Sequence, residues 1–248
     1  MGTFALLVAA AFVAGIFNTL AGGGTLVTFP ALLFAGLDPI DANASSVVAL
    51  LPATFLAAWV YRQSILAVTE VDVVAFLLLS LVGGLLGAIL LLSTPSDIFA
   101  GFVPWLIAAA TAIFAVGNFA PLPLLERVRF GRGGALAVHF VVSIYGGYFG
   151  GGIGFLLLAA FTLFGMRDIN AMNGLKMMVV AVMTVTAIAV FIAAGVVRWA
   201  ETLPMCLGSL AGGYVAARSA LKLDQRLIKG LIILMGTALT VLFFWRGV

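Results

Sequence analysis

Charged side chains are scarce in this chain, and their scarcity excludes a surface that faces water. Lysine and arginine number 12 and aspartate and glutamate 9, so charged residues make up 8% of 248 residues, against about 25% in a soluble domain. Hydrophobic residues make up 64%, and apolar runs of about 20 residues, long enough to cross a bilayer, recur along the chain. The composition predicts an all-α integral membrane protein that binds no nucleic acid.

Cysteine and histidine occur once each, and the signatures of an enzyme are missing. Cys206 alone excludes an intramolecular disulfide framework and a cysteine-cluster metal site. His139 either shuttles protons or makes one structural hydrogen bond. No paired carboxylates, nucleophile–base set or metal-ligand cluster is visible, and Gly22–Gly24 lacks the GK[ST] ending of a P-loop. We therefore predict no enzyme activity, no cofactor, no metal and no ATP drive in this chain.

Six apolar segments have the length and flanking residues of full membrane spans, and two others are broken by glycine. The predicted spans are 42–61, 71–93, 97–117, 171–195, 199–218 and 226–245. The broken segments are 2–36, interrupted at Gly22–Gly24, and 133–165, interrupted at Gly150–Gly152. About a dozen residues follow each break, which as a helix measures about 18 Å, short of the roughly 30 Å core. Each broken segment is predicted to be a re-entrant hairpin.

The two halves of the chain repeat the same series of features. Each half has a broken segment, then an asparagine-containing start of a span (Asn43 or Asn173), then three spans. Gly83 and Gly87 in the first half correspond to Gly208 and Gly212 in the second, and both pairs allow close helix contact. We predict a first repeat over 1–117, a cytoplasmic linker over 118–132 and a second repeat over 133–248.

The positive charges orient the predicted spans. Cytoplasmic loops of membrane proteins carry an excess of lysine and arginine, which assigns loops 62–70, 118–132 and 218–229 to the cytoplasm and both termini to the periplasm. Asp38, Asp41 and Asp97 then lie outside. Under this assignment the spans of the two halves run in opposite senses, provided that both broken segments are re-entrant. The charges therefore predict inverted repeats.

The glycine breaks are the strongest candidates for a binding site. A helix that starts after a break directs its N–H groups and positive dipole end into the gap, where an anion is stabilised. Two such ends that approach the midplane from opposite sides would form one shared site. The alternative is that the glycines only allow tight packing. The predicted substrate-binding residues are Asn18, Thr19, Gly22, Gly23, Gly24, Thr25, Asn43, Ser46, Tyr148, Gly150, Gly151, Gly152, Ile153, Asn173 and Lys176.

Several of these polar residues have a structural alternative. Asn18 and Thr19, like Tyr145 and Tyr148, either face a cavity or hydrogen-bond across a break. Asn43 either contacts the ligand or caps its helix. Lys176 is the only charged side chain more than about three residues from either end of a predicted span, so it either binds an anion or extends its ammonium to the membrane surface. Aspartate and glutamate occur only at the ends of the predicted spans and not in their interiors, which favours an anionic substrate over a cation.

The residues around both breaks resemble the sulfite exporter TauE/SafE family of bacterial membrane permeases. The first stretch is Asn18-Thr19-Leu20-Ala21-Gly22-Gly23-Gly24-Thr25, followed by Phe29-Pro30-Ala31-Leu32 and Ala42-Asn43-Ala44-Ser45-Ser46. The second is Gly146-Gly147-Tyr148-Phe149-Gly150-Gly151-Gly152-Ile153-Gly154, with Asn173-Gly174-Leu175-Lys176. The resemblance implies a permease or exporter of sulfite, sulfoacetate or other small organic anions in the bacterial inner membrane.

Sequence and resemblance together predict a secondary anion transporter that works by alternating access around the two breaks. Its partners are a small anionic substrate and the lipid bilayer. A passive anion channel is the alternative within transport, and a membrane scaffold that assembles other proteins is the alternative outside it. A scaffold needs no broken helices, and the soluble loops are too short to dock much. The particular anion, the coupling ion and the oligomeric state are left open by the sequence.

Overall fold

The chain folds into eleven helices in a computed structural model that describes residues 2–20, 22–65, 68–119, 131–219 and 225–246. No strand occurs within these ranges. The predicted all-α class is thereby confirmed, whereas most of the predicted linker, including Arg127 and Arg129, lies outside the described residues. The helices are α1 (Gly2–Leu20), α2 (Thr25–Phe34), α3 (Pro39–Val60), α4 (Arg62–Ile65), α5 (Val73–Leu92), α6 (Ser96–Phe119), α7 (Arg132–Tyr148), α8 (Ile153–Leu163), α9 (Ile169–Ala194), α10 (Trp199–Ser219) and α11 (Gln225–Arg246).

Aspartate side chains set the starts of three long helices. Asp38, Asp72 and Asp168 each accept a hydrogen bond from a backbone N–H in the first turn, which satisfies a donor that has no partner inside the helix. The helix α3 therefore begins at Pro39, three residues before the predicted span. The prediction that Asn43 could cap this helix is wrong, because Asp38 is the cap and Asn43 lies more than one turn inside.

Five helices within the described ranges are long and apolar enough to cross a membrane. They are α1, α3 with α4, α5, the 96–113 part of α6, and α9. Four predicted spans fall on them, whereas 199–218 and 226–245 are helical, as α10 and α11, but are not among the five. The first arm of the first broken segment, α1, is itself long enough to cross, while the helices after the breaks have only 10 and 11 residues.

The first broken segment folds back on itself along α3. Ser209 donates to the carbonyl of Ala49 and Gly213 lies against Ala53, so α10 runs parallel to α3. The α1 backbone follows α10 in the same sense, from Val8 near Gly208 to Phe12 near Gly212. The helix α2 runs in the opposite sense, because Gly24 lies beside Leu50 and Thr28 contacts Ser46. The chain thus returns along α2 toward the N-terminal start of α3, near which α1 also begins.

The second broken segment follows α5 in the corresponding way. Arg132 pairs with Asp72, His139 contacts Ser80, and Tyr148 lies near Gly87, so α7 runs parallel to α5. After the break α8 returns, and Phe164 packs edge-on against Phe76 near the start of α5. Helices of each half pack on the middle span of the other half. In the first half α1 and α3 pack on α10, and in the second half α7 and α9 pack on α5.

Contacts between loops divide the helix ends between two faces. On the Asp38 face, formed by 35–41, 93–97 and 195–201, Ser96 donates to Asp38 and the Arg198 Nε donates to Asp41 at 2.6 Å. On the Asp72 face, formed by 61–65, 68–72, 131–132 and 164–174, Arg132 and Asp72 form an ion pair of 2.9 Å and Gly174 packs against Tyr61. The residues predicted to lie outside are therefore together on one face, and Arg62, Arg132 and Arg167 belong to the other.

Glycine brings the broken segments close to the opposite half, as predicted for both glycine pairs. A methyl group at Gly83 would lie 2.5 Å from the Ser143 Cβ, and one at Gly208 would lie 2.5 Å from the Val8 carbonyl oxygen. Methyl groups at Gly87 and Gly212 would overlap backbone carbonyls outright. The broken segments are thus packed backbone to backbone against the spans of the other half.

We expect Gly212→Ala to destabilise the fold, because its methyl group would overlap the Phe12 carbonyl and force α1 away from α10. The cost of such overpacking is about 1–3 kcal/mol, measurable as a lower melting temperature of the purified protein in detergent. Gly101→Ala in α6 is the matched control, since nothing lies within 4 Å of a methyl group there and alanine favours a helix by about 1 kcal/mol. Equal melting temperatures for the two variants would contradict the close packing.

Candidate functional site

The two glycine breaks are in backbone contact with each other. The Gly22 carbonyl accepts a hydrogen bond from the Gly154 N–H at 3.4 Å, and a methyl group at Gly22 would lie 2.5 Å from the Gly154 Cα. The two breaks therefore approach each other, as a shared site requires. Positive φ angles at Gly22, Gly150 and Gly152 produce the turns, a conformation that residues with a Cβ rarely adopt. The polar cavity expected at this junction stays a prediction.

The start of α8 is occupied by the chain itself in this conformation. The N–H groups of Ile153, Gly154, Phe155 and Leu156 donate to backbone carbonyls, three within the break and one at Gly22. Neither Gly24 nor Gly152, which precede α2 and α8, offers a side-chain cap. An anion could reach the α8 donors only after the Gly22–Gly154 contact opens.

Asn18, Thr19 and Thr25 are buried beside the first break. The Asn18 amide donates to the Thr54 hydroxyl of α3 at 2.9 Å, a structural hydrogen bond that does not cross the break. The Thr19 hydroxyl has no hydrogen-bond partner among the described residues and lies close to Gly213. Gly23 packs against the ring of Phe155, which follows the second break, so the two breaks also interlock through a side chain.

Asn43 and Ser46 lie on one face of α3 and are fully buried. The Asn43 amide nitrogen donates to the Tyr148 carbonyl at 3.1 Å, which ties α3 to the end of α7 at the second break. The Asn43 Oδ1 has no partner among the described residues. Ser46 shares a short hydrogen bond with Thr28 of α2, and Thr28 also contacts the Gly24 carbonyl. Both breaks are thus linked to α3 through predicted site residues.

The tyrosines before the second break make structural hydrogen bonds. The Tyr145 hydroxyl donates to the Gly151 carbonyl at 2.6 Å, across the break. The Tyr148 hydroxyl lies 3.5 Å from Thr94, and its ring packs edge-on against Phe99. Neither hydroxyl is free for a ligand in this conformation, although the Tyr148 backbone carbonyl joins the Asn43 contact.

Lys176 is completely buried in the first half of α9. Its ammonium donates to the Asn173 side-chain oxygen at 2.8 Å, and no carboxylate pairs with it within the described ranges. The alternative that Lys176 extends to the membrane surface is wrong for this conformation, since none of its surface is exposed. An ammonium with one neutral acceptor retains two unused donors away from the protein surface, which is energetically costly.

The sequence analysis missed three polar contacts near the site. Thr28 and Thr54 were not singled out, yet both hold predicted site residues. Asp41 was assigned to a loop, but it is buried in the first turn of α3 and pairs with Arg198. Lone threonines and an aspartate near a predicted helix start have common structural uses, so only their spatial neighbours reveal these roles.

His139 lies away from the breaks in a polar cluster between α5 and α7. Its Nε2 lies 2.9 Å from the Ser80 hydroxyl and 3.0 Å from the Phe76 carbonyl, and its ring stacks on Phe76. These contacts match the structural alternative for this residue. Its Nδ1 has no partner within the described residues.

Known proteins with similar sequences are named as probable membrane transporters. A probable membrane transporter protein of a Sinorhizobium species, ORF9, is 31% identical over 243 residues, covering 96% of this chain and 90% of the relative. A probable membrane transporter protein of Haemophilus influenzae is 29% identical over 95% of this chain and 92% of its own length. YfcA of Escherichia coli, also named a probable membrane transporter protein, is 28% identical over 93% and 85%.

The relatives and the apolar helices together make this chain a multi-pass membrane transporter. The family model described as Sulfite exporter TauE/SafE matches residues 7–243, which includes both glycine breaks and Lys176. Because the match covers nearly the whole chain, the resemblance seen in the glycine-rich stretches is confirmed, and the protein belongs to the TauE/SafE family.

Proposed function

We propose that this chain is a secondary transporter, an exporter of small anions such as sulfite or organosulfonates, in the bacterial inner membrane. The observation that carries the proposal is the ammonium of Lys176, fully buried and without a carboxylate partner in the described part of the chain. A buried charge is stable only when it is paired and hydrogen-bonded. A bound anion would supply the missing partner and would use the two remaining ammonium donors.

Alternating access is supported by helix contacts that fit an inverted arrangement of the two halves. The contacts of α1 and α2 along α3, and of α7 and α8 along α5, fit two re-entrant hairpins that open on opposite faces. Such discontinuous helices surround the substrate site in several transporter folds. The 10 and 11 residues after the breaks are too few to cross the membrane as helices.

The junction between the breaks supports a mechanism for the conformational change. Its backbone hydrogen bond, from Gly154 to Gly22, is long at 3.4 Å and therefore weak. Rocking of one half against the other would break it and free the Gly154 N–H at the positive end of α8. An anion at the α8 start would then meet this freed donor, so that substrate binding favours the rearranged state. This differential affinity is what a substrate needs in order to shift the population.

The substrate class rests on the family and on the charge of Lys176. The relatives are described only as probable membrane transporters, so the sulfur-containing anions come from the family description. Sulfite and sulfonates offer three oxygens to the ammonium and to backbone N–H groups.

Purified protein in liposomes tests the function. Thermal shift with sulfite, sulfate, sulfoacetate, taurine and small carboxylates identifies the ligand, since a molecule that binds only the folded state raises the melting temperature. We then expect saturable uptake of that anion, accelerated when unlabelled anion fills the opposite side. Flux that does not saturate and shows no counterflow would favour the passive channel. Absence of binding and flux across the whole panel would contradict transport of these anions.

The proposed orientation makes a separate prediction about accessibility. In a Cys206→Ser background, Ser93→Cys on the Asp38 face is expected to react with a membrane-impermeant maleimide added to intact spheroplasts. Gln63→Cys on the Asp72 face is expected to react only after the membrane is permeabilised. Both positions are exposed in the folded protein, so the pair differs in side rather than burial. The reverse pattern would place the arginine-rich face outside and overturn the orientation.

A further inference from the structure

We propose that Asn43 and Ser46, together with the carbonyl end of α7, form a site for sodium, and that this ion is coupled to anion transport. The site stands on its own geometry, whereas the coupling rests on the proposed transport function. The Asn43 side chain has no exposed surface, and its Oδ1 has no hydrogen-bond partner within the described residues.

The orientation of the Asn43 amide is fixed by its neighbour. Its nitrogen donates to the Tyr148 carbonyl at 3.1 Å, so the Oδ1 must be the atom without a partner. A carboxamide oxygen only accepts hydrogen bonds. A deprotonated anion also only accepts, so Asn43 Oδ1 repels the proposed substrate and requires a donor or a cation.

The hydroxyl of Ser46 offers a second oxygen of the same kind. Thr28 donates to the Gly24 carbonyl, and the Ser46 hydroxyl can then donate to Thr28. This chain of hydrogen bonds leaves the lone pairs of Ser46 free. Because Asn43 and Ser46 are three residues apart in α3, they lie on the same side of the helix. The pair therefore presents oxygen lone pairs and no charge.

The electrostatic field at the C-terminal end of α7 favours a positive ion beside Asn43. Asn43 touches the carbonyl of Tyr148, the last residue of α7, and the C-terminal end of a helix carries a partial negative charge. In transporters with broken helices, unwound carbonyls and the C-terminal ends of half-helices commonly coordinate sodium. Neutral oxygen ligands suffice for a monovalent ion, so the lack of carboxylates in the interiors of the predicted spans does not exclude it.

The second half of the chain carries a cation at the corresponding place. Asn173 and Lys176 have the same spacing in α9 as Asn43 and Ser46 have in α3, and the helix packing relates α3 to α9. There the asparagine Oδ1 accepts from the Lys176 ammonium at 2.8 Å. In the first half a serine replaces the lysine and the equivalent oxygen is open. A mobile sodium ion in one half thus corresponds to a tethered ammonium in the other.

Melting temperatures of the purified protein test the site without any anion substrate. Sodium chloride is titrated against choline chloride at constant ionic strength, with lithium and potassium chloride as comparisons. We expect a saturable rise of about 2–4 °C in sodium, the shift that about 1 kcal/mol of binding linkage gives in a chain of this size. Identical melting curves in sodium and choline would overturn the proposal.

Variants test whether the sodium-dependent rise in melting temperature depends on the side-chain oxygens of Asn43 and Ser46. Asn43→Ala and Ser46→Ala are each expected to weaken the sodium response at least tenfold, whereas Asn43→Asp retains an oxygen and keeps it. Ser46→Lys supplies a tethered ammonium and is expected to abolish the sodium response while the protein stays folded. A sodium response that persists in both Asn43→Ala and Ser46→Lys would overturn the assignment. If Asn43→Ala fails to fold, Ser46→Ala and Ser46→Lys decide the outcome.

The outcomes separate this inference from the proposed function. If sodium raises the melting temperature and no anion of the panel binds, the sodium site is supported and anion transport is contradicted. Anion binding and flux that are equal in sodium and choline keep the proposed transporter and overturn the coupled ion. We expect both the affinity for the anion and its flux to fall at least tenfold when sodium is replaced by choline.

Discussion

Lys176→Met is expected to abolish anion binding and to leave the protein folded. Methionine keeps the apolar stem and removes the charge, so the anion loses its ammonium partner and binds at least about 30-fold more weakly, the effect of about 2 kcal/mol or more for a buried charge pair. The same change removes a buried, poorly paired charge from the anion-free protein. The melting temperature without anion should therefore rise, because replacing a buried charge with an apolar side chain is often stabilising.

Two further variants make the Lys176 result interpretable. Arg62→Met removes an exposed cation from the Asp72 face and should leave anion affinity unchanged. Lys176→Arg should be tolerated only in part, since a planar guanidinium does not replace a compact ammonium in a tight pocket. Isothermal titration with the best anion of the panel measures all three. Wild-type affinity in Lys176→Met would contradict the anion-anchor role and leave the starts of α2 and α8, at Thr25 and Ile153, as the remaining candidates.

Gly22→Ala is expected to have the largest effect on the junction between the breaks. Gly22 has a φ of +82°, and a methyl group there would lie 2.5 Å from the Gly154 Cα. The left-handed conformation alone costs an alanine about 1–2 kcal/mol, and the overlap forces the two breaks apart. We expect a total loss of stability of about 3 kcal/mol or more, together with loss of transport in liposomes.

Gly36→Ala separates the two causes of that loss. Gly36 has a φ of +92° but nothing within 4 Å of an added methyl group, so it bears only the conformational cost. Its melting temperature should fall slightly and its transport should remain near normal. If the two variants lost equal stability and equal activity, the contact between the breaks would have no special role and the backbone conformation alone would explain both.

Some of the site follows from the sequence because single residues carry the signal. Three consecutive glycines in an apolar segment indicate a break wherever they occur, since free backbone groups in a membrane must be satisfied by protein or water. A lysine inside a predicted span indicates a binding role for the same kind of reason. Lys176 is accordingly buried, and the breaks at Gly22 and Gly150 interrupt the helices where the sequence indicates.

Other features depend on partners far apart in the chain. Asn43 was assigned equally to capping and to ligand binding because its Tyr148 partner is 105 residues away. Asp41 was assigned to a loop, whereas its pairing with Arg198 buries it in the first turn of α3. The extent of α3 was misjudged because the cap at Asp38 precedes the apolar residues that define the span.

The sequence by itself determined the membrane class, the helical architecture, the two breaks and the family, because composition, apolar run length and glycine clusters act locally along the chain. Only the tertiary structure decided that Gly22 touches Gly154 and that, among the described residues, Lys176 has a single neutral partner and Asn43 retains an open oxygen. These facts arise from helices packed against each other across the two halves. A residue's neighbours in space, which set its unsatisfied hydrogen bonds and its charge partners, are not encoded in its neighbours along the chain.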